Sequence, residues 1–331
     1  MKRLLTFLFL SSVAFSQPQF SSISSLPGSF SRLGFGARGL GMGNAMSAVI
    51  EGNLVSYYNP ALAVFQESNS FQTSYSFLSL DRSLNFINFT KRINFYEKQD
   101  STSSEIKIRS SAGISIGIIN AGVSNIDGRD NSGNQTGSLS TSENQFFFAF
   151  SNQFSKKLAL GLAIKYYYFK LYEEITANGF GLDIGGIYSL SDNLHVSFVI
   201  SDINSKYKWD TTPQLNTNGS QTEDSFPVLK KIGVSYKNYE YKFITALEYE
   251  TSGEGTNIIR FGGEINLIES LFLRGGIDQL NLSNSDFPIR PSLGFSYFKI
   301  VGSLLIGVDY AFVGERYSPQ DRHIVGVNVR F

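Results

Sequence analysis

The stretch LALGLAIKYYY, residues 158–168, alternates strictly between two kinds of side chain. One face carries large apolar and aromatic residues, whereas the other carries Ala159, Gly161, Ala163, Lys165 and Tyr167. A period of two places these sets on opposite sides of a β-strand. Residues 180–188, 194–200, 243–249 and 304–312 repeat the alternation. A small, weakly charged second face is typical of a barrel lumen, so the pattern predicts an all-β, transmembrane, antiparallel up-and-down β-barrel.

The spacing of the connections supports the same prediction. Counting back from the C-terminus, the pattern predicts about fourteen strands, and bacterial barrels have an even number. Tight connections are predicted at 155–157, 191–193, 238–239 and 269–270, and long loops at 122–143, 206–225, 281–287 and 314–320. Short turns at one end and longer loops at the other are typical of outer-membrane barrels. The alternation of lengths breaks at residues 96–105, which are too many for a tight turn.

The composition excludes several other classes of protein. The 331 residues include 28 Lys+Arg and 28 Asp+Glu, and 17% are charged, against about 25% in soluble domains. The mean hydropathy of −0.07 excludes a bundle of transmembrane helices. The chain has no cysteine, which excludes disulfides, thiolate zinc sites and cysteine nucleophiles. The balanced charge argues against a nucleic-acid partner.

Both ends of the chain carry targeting signals. Met1-Lys2-Arg3, an apolar stretch and small residues before Gln17 predict a secretory signal peptide over residues 1–16. No cysteine follows it, which argues against a lipid anchor. At the other end Gly326, Val329 and the terminal Phe331 resemble the assembly signal that the outer-membrane insertion machinery reads, although Ile324 stands where that signal usually has a polar residue. We therefore expect a protein exported to the bacterial outer membrane, with membrane lipid and the insertion machinery as partners.

A glycine-rich segment precedes the first predicted strand. Gly34, Gly36 and Gly39 match the spacing of a dinucleotide-binding fingerprint, but no strand precedes them and Glu51 comes too early to bind the ribose. The apolar residues of 42–49 recur at helical spacing and predict a short amphipathic helix there. Tyr58, which precedes an Asn-Pro pair, begins a predicted extended-then-turn element.

This segment resembles the N-terminal signature of PorV/PorQ-type outer-membrane proteins, which are relatives of the FadL long-chain fatty-acid transporters. The matching residues are Arg38, Gly39, Gly41, Met42, Gly43, Tyr58, Asn59, Pro60 and Ala61, and further matches occur at 181–188, 262–264, 273–276 and 308–311. Asn44 and Leu62 depart from the pattern. The resemblance implies a barrel over 69–331 with residues 17–68 folded into its lumen as a plug. Glycines 39, 41 and 43 suit backbone packed against the wall, although they could also only ease a turn.

The resemblance implies two alternative functions. The first is a role in type IX secretion or surface attachment, with secreted proteins or secretion-system components as partners. The alternative is a FadL-like channel that carries hydrophobic small molecules into or out of the cell, with the plug as its gate.

Four of the eight charged residues predicted to face the lumen form two pairs. Lys165 and Asp183 lie opposite each other in a simple hairpin register, as do Glu264 and Arg274. Such pairs stabilise a hairpin and define its register. The alternative interpretation is a charged path for a ligand.

Little in the sequence points to catalysis. His195 and His323 are the two candidates for a near-neutral base. His323 falls on the lipid-facing side, and no acid is placed by sequence to orient the inward-facing His195. No metal-ligand spacing or cofactor motif is present, so we expect a protein that is not an enzyme. Trp209 either anchors a partner or packs against its own loop.

Overall fold

Each barrel strand pairs antiparallel with its neighbours, as expected for strands that have one lipid-facing and one lumen-facing side. The computed structural model describes residues 21–96, 108–172, 175–212, 218–284 and 286–331, so the predicted signal peptide lies outside the described residues. Its strands are β1 (Ser70–Phe77), β2 (Arg82–Tyr96), β3 (Ile108–Arg129), β4 (Gln135–Gln153), β5 (Leu158–Tyr172), β6 (Ile175–Ser189), β7 (Leu194–Ile203), β8 (Lys206–Asp210), β9 (Gln221–Ser225), β10 (Leu229–Asn238), β11 (Phe243–Ser252), β12 (Asn257–Ile268), β13 (Leu271–Asn281), β14 (Arg290–Val301), β15 (Leu304–Val313) and β16 (Arg322–Arg330).

Fourteen of these strands form a closed barrel, which confirms the predicted fold class and strand number. The ring closes where β1 pairs with β16, and β5–β6 and β7–β10 complete it. The terminal Phe331 extends the closure by exchanging two backbone hydrogen bonds of 3.1 Å with Asn69. The remaining strands, β8 and β9, form a hairpin that pairs with β6 at Ala177 and Asn178.

The two ends of the barrel differ. Phe331 and the four predicted tight connections lie at one end, which we call the turn end, and we call the opposite end the loop end. The predicted long loop over 122–143 is largely wrong, because β3 continues to Arg129 and β4 begins at Gln135. The ends of these two strands project beyond the neighbouring strands. Residues outside the membrane need no apolar face toward lipid, so the alternation that indicates a strand is missing there. The predicted loop over 206–225 contains the β8–β9 hairpin, and residues 97–107 lie outside the described part of the chain.

The alternating faces are oriented as expected for a membrane barrel. On β5 the outward residues Leu162 and Ile164 are 45% and 48% exposed, whereas the inward Ala163 and Lys165 are 2% and 3% exposed. Large apolar residues therefore cover the outside and small or charged residues line the lumen, which is the reverse of a soluble core.

The N-terminal segment lies inside the barrel and contains little regular structure. It has 3-10 helices at Ile23–Ser25, Ser29–Arg32 and Pro60–Phe65 and one α-helix, α1 (Ala37–Gly41). The helix predicted over residues 42–49 is wrong, because Gly43 and Asn44 adopt the left-handed region with φ of 57° and 61° and end the helical path. Among the described residues no helix is long and apolar enough to cross a membrane.

Candidate functional site: the plugged lumen

The described part of the N-terminal segment, residues 21–68, fills the middle of the lumen, and we call it the plug. Helix α1 contacts β13, β14, β15 and β16, and the 3-10 helix Pro60–Phe65 contacts β2 to β6 on the opposite wall. Met42, Val49 and Leu54 have no exposed surface. The apolar core of this protein therefore lies between plug and wall, because the outward faces of the strands are free to contact lipid.

Inward-facing glycines of the wall allow the plug backbone to come close. A Cβ atom placed on Gly262 would lie 2.3 Å from the carbonyl oxygen of Met42, and one on Gly161 would lie 2.4 Å from the amide nitrogen of Ala61. In the plug itself, Gly43 combines its positive φ with a close approach to the backbone of Ile277. The sequence placed Gly161 on the lumen face and Gly262 among the family matches, but it did not predict that these wall glycines contact the plug. Their signal was a missing side chain at inward positions of otherwise regular strands.

The plug glycines occupy different surroundings. Gly41 faces the wall, where a Cβ atom on it would lie 3.7 Å from the Cβ of Ala311. Gly39 instead faces Tyr58 of the plug, whose hydroxyl would lie 2.0 Å from a Cβ atom on the glycine. The expectation of wall packing thus describes the surroundings of Gly41 and Gly43, whereas Gly39 packs within the plug.

Arg38 joins the plug to the wall through a buried ion-pair cluster. Its Nε and Nη2 donate to the two carboxylate oxygens of Glu264 at 2.9 and 2.8 Å, and its Nη1 donates to the carbonyl oxygens of Glu51 and Asn53. Arg274 Nε donates to the same carboxylate at 2.5 Å, from the position directly opposite Glu264 on β13. The predicted pair of Glu264 and Arg274 is thus in contact, and Arg38 of the plug motif is its third member.

Tyr58 and Asn59 fix the C-terminal part of the plug by hydrogen bonds. The Tyr58 hydroxyl donates to Asn44 Oδ1 at 2.9 Å or to the carbonyl of Phe35 at 2.8 Å, and burial raises its pKa, which keeps the hydroxyl protonated. Asn44 Nδ2 in turn donates to Asp278 of the wall at 2.8 Å. The side chain of Asn59 accepts from the amide of Ala61 at 2.9 Å, which caps the 3-10 helix that Pro60 begins.

A second charged cluster lies in the wall near β7. Lys165 Nζ lies 2.7 Å from Asp183 and 3.0 Å from Asp202, and the Tyr167 hydroxyl donates to Asp202 at 2.5 Å. The predicted register is wrong by two residues, because Lys165 is paired with Gly181 and reaches Asp183 diagonally. Asp202 was missed because it belongs to the next hairpin. Its backbone is left-handed, with φ of 61°, and it lies where the β6–β7 register shifts.

Cavities lie on both sides of the plug. At the loop end a cavity of about 740 Å³ is lined both by apolar side chains, among them Leu80, Val123, Phe287 and Tyr317, and by polar and charged ones, among them Arg82, Asp286, Arg290, Glu315 and Arg316. We call it the vestibule. Smaller cavities of about 230 and 90 Å³ share Arg82 with it and extend to Leu33 of the plug. A separate cavity of about 310 Å³, the turn-end cavity, shares no lining residue with any of these. The plug therefore separates two compartments.

The two histidines and Trp209 contact other side chains of the barrel and its loops. His195 is buried with Nδ1 2.9 Å from the Ser189 hydroxyl, and the exposed His323 lies beside the Tyr310 hydroxyl. Trp209 packs on Phe169 and donates to Asp224 across its own hairpin at 2.8 Å. Within the described ranges no group of three or more His, Cys, Asp or Glu side chains is placed to hold a metal ion.

Gly326 faces inward on β16, and Phe331 is exposed beside Phe89.

Comparison with known proteins gives structural matches. No family model and no curated protein matches the sequence. The Pseudomonas putida toluene transporter TodX is 14% identical, with a TM-score of 0.57 over 89% of this chain and 96% of that one. The Ralstonia pickettii toluene transporter TbuX is 13% identical, with a TM-score of 0.57 over 90% and 98%. A Pseudomonas aeruginosa FadL homologue is 10% identical, with a TM-score of 0.50 over 88% and 97%. At these identities the likeness shows the fold alone, which is the barrel that this chain shares with these three proteins.

Proposed function

We propose that this protein is a non-enzymatic outer-membrane barrel that passes hydrophobic small molecules through its lumen, with the plug as the gate. The vestibule carries this proposal, because a cavity of about 740 Å³ with large apolar side chains in its lining opens among the loops, and smaller cavities that share Arg82 with it reach Leu33 of the plug. Long loops are typical of the extracellular side of such barrels. An apolar molecule from outside would therefore meet the vestibule first and the plug second.

The structural neighbours support a transport role. Two of them are described as toluene transporters, and this chain spans nearly their whole length with the same fold. The alternative role in type IX secretion rests on the PorV/PorQ-like residues of the plug, and neither the structure nor the comparisons support it. A hydrophobic small molecule is thus the partner that we propose in place of secreted proteins.

The predicted segments keep their place in this proposal. Residues 1–16 would direct export, 17–68 would form the plug and 69–331 the barrel. Gly326, Val329 and Phe331 would be read by the insertion machinery before β16 pairs with β1 in the finished barrel.

The vestibule is tested by making it polar. We expect cells whose gene is deleted to lose most saturable uptake of labelled toluene, wild-type protein to restore it, and Leu80→Asp with Tyr317→Asp to restore little. Leu80 and Tyr317 are 72% and 73% exposed, and Leu80 has a φ of 63° that aspartate tolerates, so the barrel should fold normally.

Ile126→Asp provides the matched control, because Ile126 is an exposed apolar residue of the projecting β3–β4 hairpin that does not line the vestibule. Secreted and surface proteins are compared in the same strains. Unchanged toluene uptake after deletion, together with loss of surface proteins, would overturn the transport proposal in favour of secretion.

A further inference from the structure

The inner part of the turn-end cavity holds more guanidinium groups than carboxylates. Arg38, Arg274 and Arg330 line it together with Glu264 and Asp309. The other charged residues of its lining, two lysines and two glutamates, balance one another. The inner part of the cavity therefore carries one positive charge more than its carboxylates neutralise.

The two inner carboxylates already accept hydrogen bonds from other groups. Glu264 accepts from Arg38 with both oxygens and from Arg274 with one of them. Asp309 accepts from the Ser296 hydroxyl and from the Asn328 amide. Both carboxylates are therefore held by partners other than Arg330.

Two guanidinium groups of the lining have unused hydrogen-bonding capacity. The Arg274 side chain is 2% exposed, and its buried Nη1 has no hydrogen-bond partner, which is costly for a buried donor. Arg330 is half-buried, donates through Nε to Asn53 and stacks over the Phe298 ring at 5.4 Å, and no described carboxylate forms an ion pair with it. An anion beside Arg330 would balance the positive charge of the inner cavity.

We propose that the turn-end cavity binds an oxyanion, a carboxylate or a phosphate group, through Arg330, with the positive charge of Arg274 in the same lining. Guanidinium groups match the geometry of both anions and bind them with charge-assisted hydrogen bonds. The cavity of about 310 Å³ has Phe272 and Phe298 on its wall, 5.6 Å apart in an edge-to-face contact, so a small apolar body fits beside the anion. The site lies on the opposite side of the plug from the vestibule and does not depend on the transport proposal.

Calorimetry on the purified full-length barrel in a non-ionic detergent tests the site with three probes. Benzoate and benzamide have nearly the same shape and differ in the charge of the polar group, and inorganic phosphate provides an oxyanion without an apolar body. We expect benzoate to bind roughly tenfold or more tightly than benzamide, as a hydrogen bond to a charged group would give. Displacement of benzoate by phosphate would show that the oxyanion alone is recognised, and lack of displacement would show that the organic body is also needed. Benzoate that binds no more tightly than benzamide would overturn the proposal.

Substitutions then locate the binding. Arg330→Gln should weaken benzoate binding by roughly tenfold or more, and Arg330→Lys should recover part of it by keeping the charge. Arg92→Gln is the matched control, because Arg92 is a half-buried arginine near the same end, with an unpartnered Nε, that does not line the cavity. Equal weakening by Arg92→Gln, or none by Arg330→Gln, would overturn the assignment. If Arg330→Gln fails to fold, the comparison of benzoate with benzamide on the wild-type protein still decides.

Discussion

The Glu264→Gln variant is expected to lose its folded state at a clearly lower temperature than the wild-type protein. Glu264 is the carboxylate that both Arg38 of the plug and Arg274 of the wall contact, and both arginine side chains are less than a tenth exposed. A neutral amide cannot balance two guanidinium charges, and removing one partner of a buried ion pair typically costs about 3–5 kcal/mol. Because the cluster joins plug to wall, the plug should loosen before the barrel unfolds.

The folded fraction is measured by heating samples in detergent and separating the compact barrel from unfolded chain on a gel. Limited proteolysis of the same samples reports whether the plug is released first. Glu223→Gln is the control, since Glu223 forms its ion pair with Lys206 on an exposed hairpin and should leave the transition unchanged. A Glu264→Gln transition equal to that of the wild-type protein would show that the cluster does not hold the plug.

The Gly262→Val variant is expected to displace the plug and make the membrane permeable to solutes that the wild-type protein excludes. A Cβ atom at this position would overlap the backbone carbonyl of Met42, which no side-chain rotation relieves. Overpacking a well-packed core typically costs about 1–3 kcal/mol, and clashes with backbone lie at the upper end. The plug, which is held at separate points, is more easily moved than a hydrogen-bonded strand.

The neighbouring glycine offers a matched control. A Cβ atom on Gly263 would meet only the carbonyl oxygen of Ile244 at 3.9 Å, so Gly263→Val adds the same side chain to the other face of the same strand. Cells that express each variant are compared for sensitivity to a hydrophilic antibiotic too large to cross an intact outer membrane. Equal sensitivity of the two variants would show that the close contact with Met42 does not keep the plug in place.

The barrel could be predicted from the sequence because its signal is repeated and local. Strands such as 158–168 each show the alternation by themselves. The strand prediction failed for the projecting residues of β3 and β4, which carry serine, asparagine and glycine on both faces and have no lipid-facing side. Local spacing also failed for residues 42–49, because Gly43 takes a left-handed conformation in contact with Ile277 of the wall.

The site was only partly predictable, because it depends on contacts between distant residues. Glu264 and Arg274 could be paired because they lie in one hairpin, ten positions apart. The third member, Arg38, is 226 positions from Glu264, and nothing local connects the two residues. Asp202 could not be assigned to Lys165 for the same reason, since its position depends on the irregular end of β7. The motif residues of the plug could be identified from the sequence, whereas the wall residues that they contact could not.

The central claim is that the plug must move for an apolar molecule to pass, and one covalent bond tests it. A Cβ atom on Gly41 would lie 3.7 Å from the Cβ of Ala311, within the range that a disulfide requires, and the chain contains no other cysteine. The double variant Gly41→Cys with Ala311→Cys therefore ties the plug to β15 on oxidation. Toluene uptake is measured in deletion cells that express it, before and after oxidation and after reduction, with each single variant as a control. We predict that oxidation abolishes saturable uptake and that reduction restores it, whereas full uptake by the completely oxidised protein would contradict passage by movement of the plug.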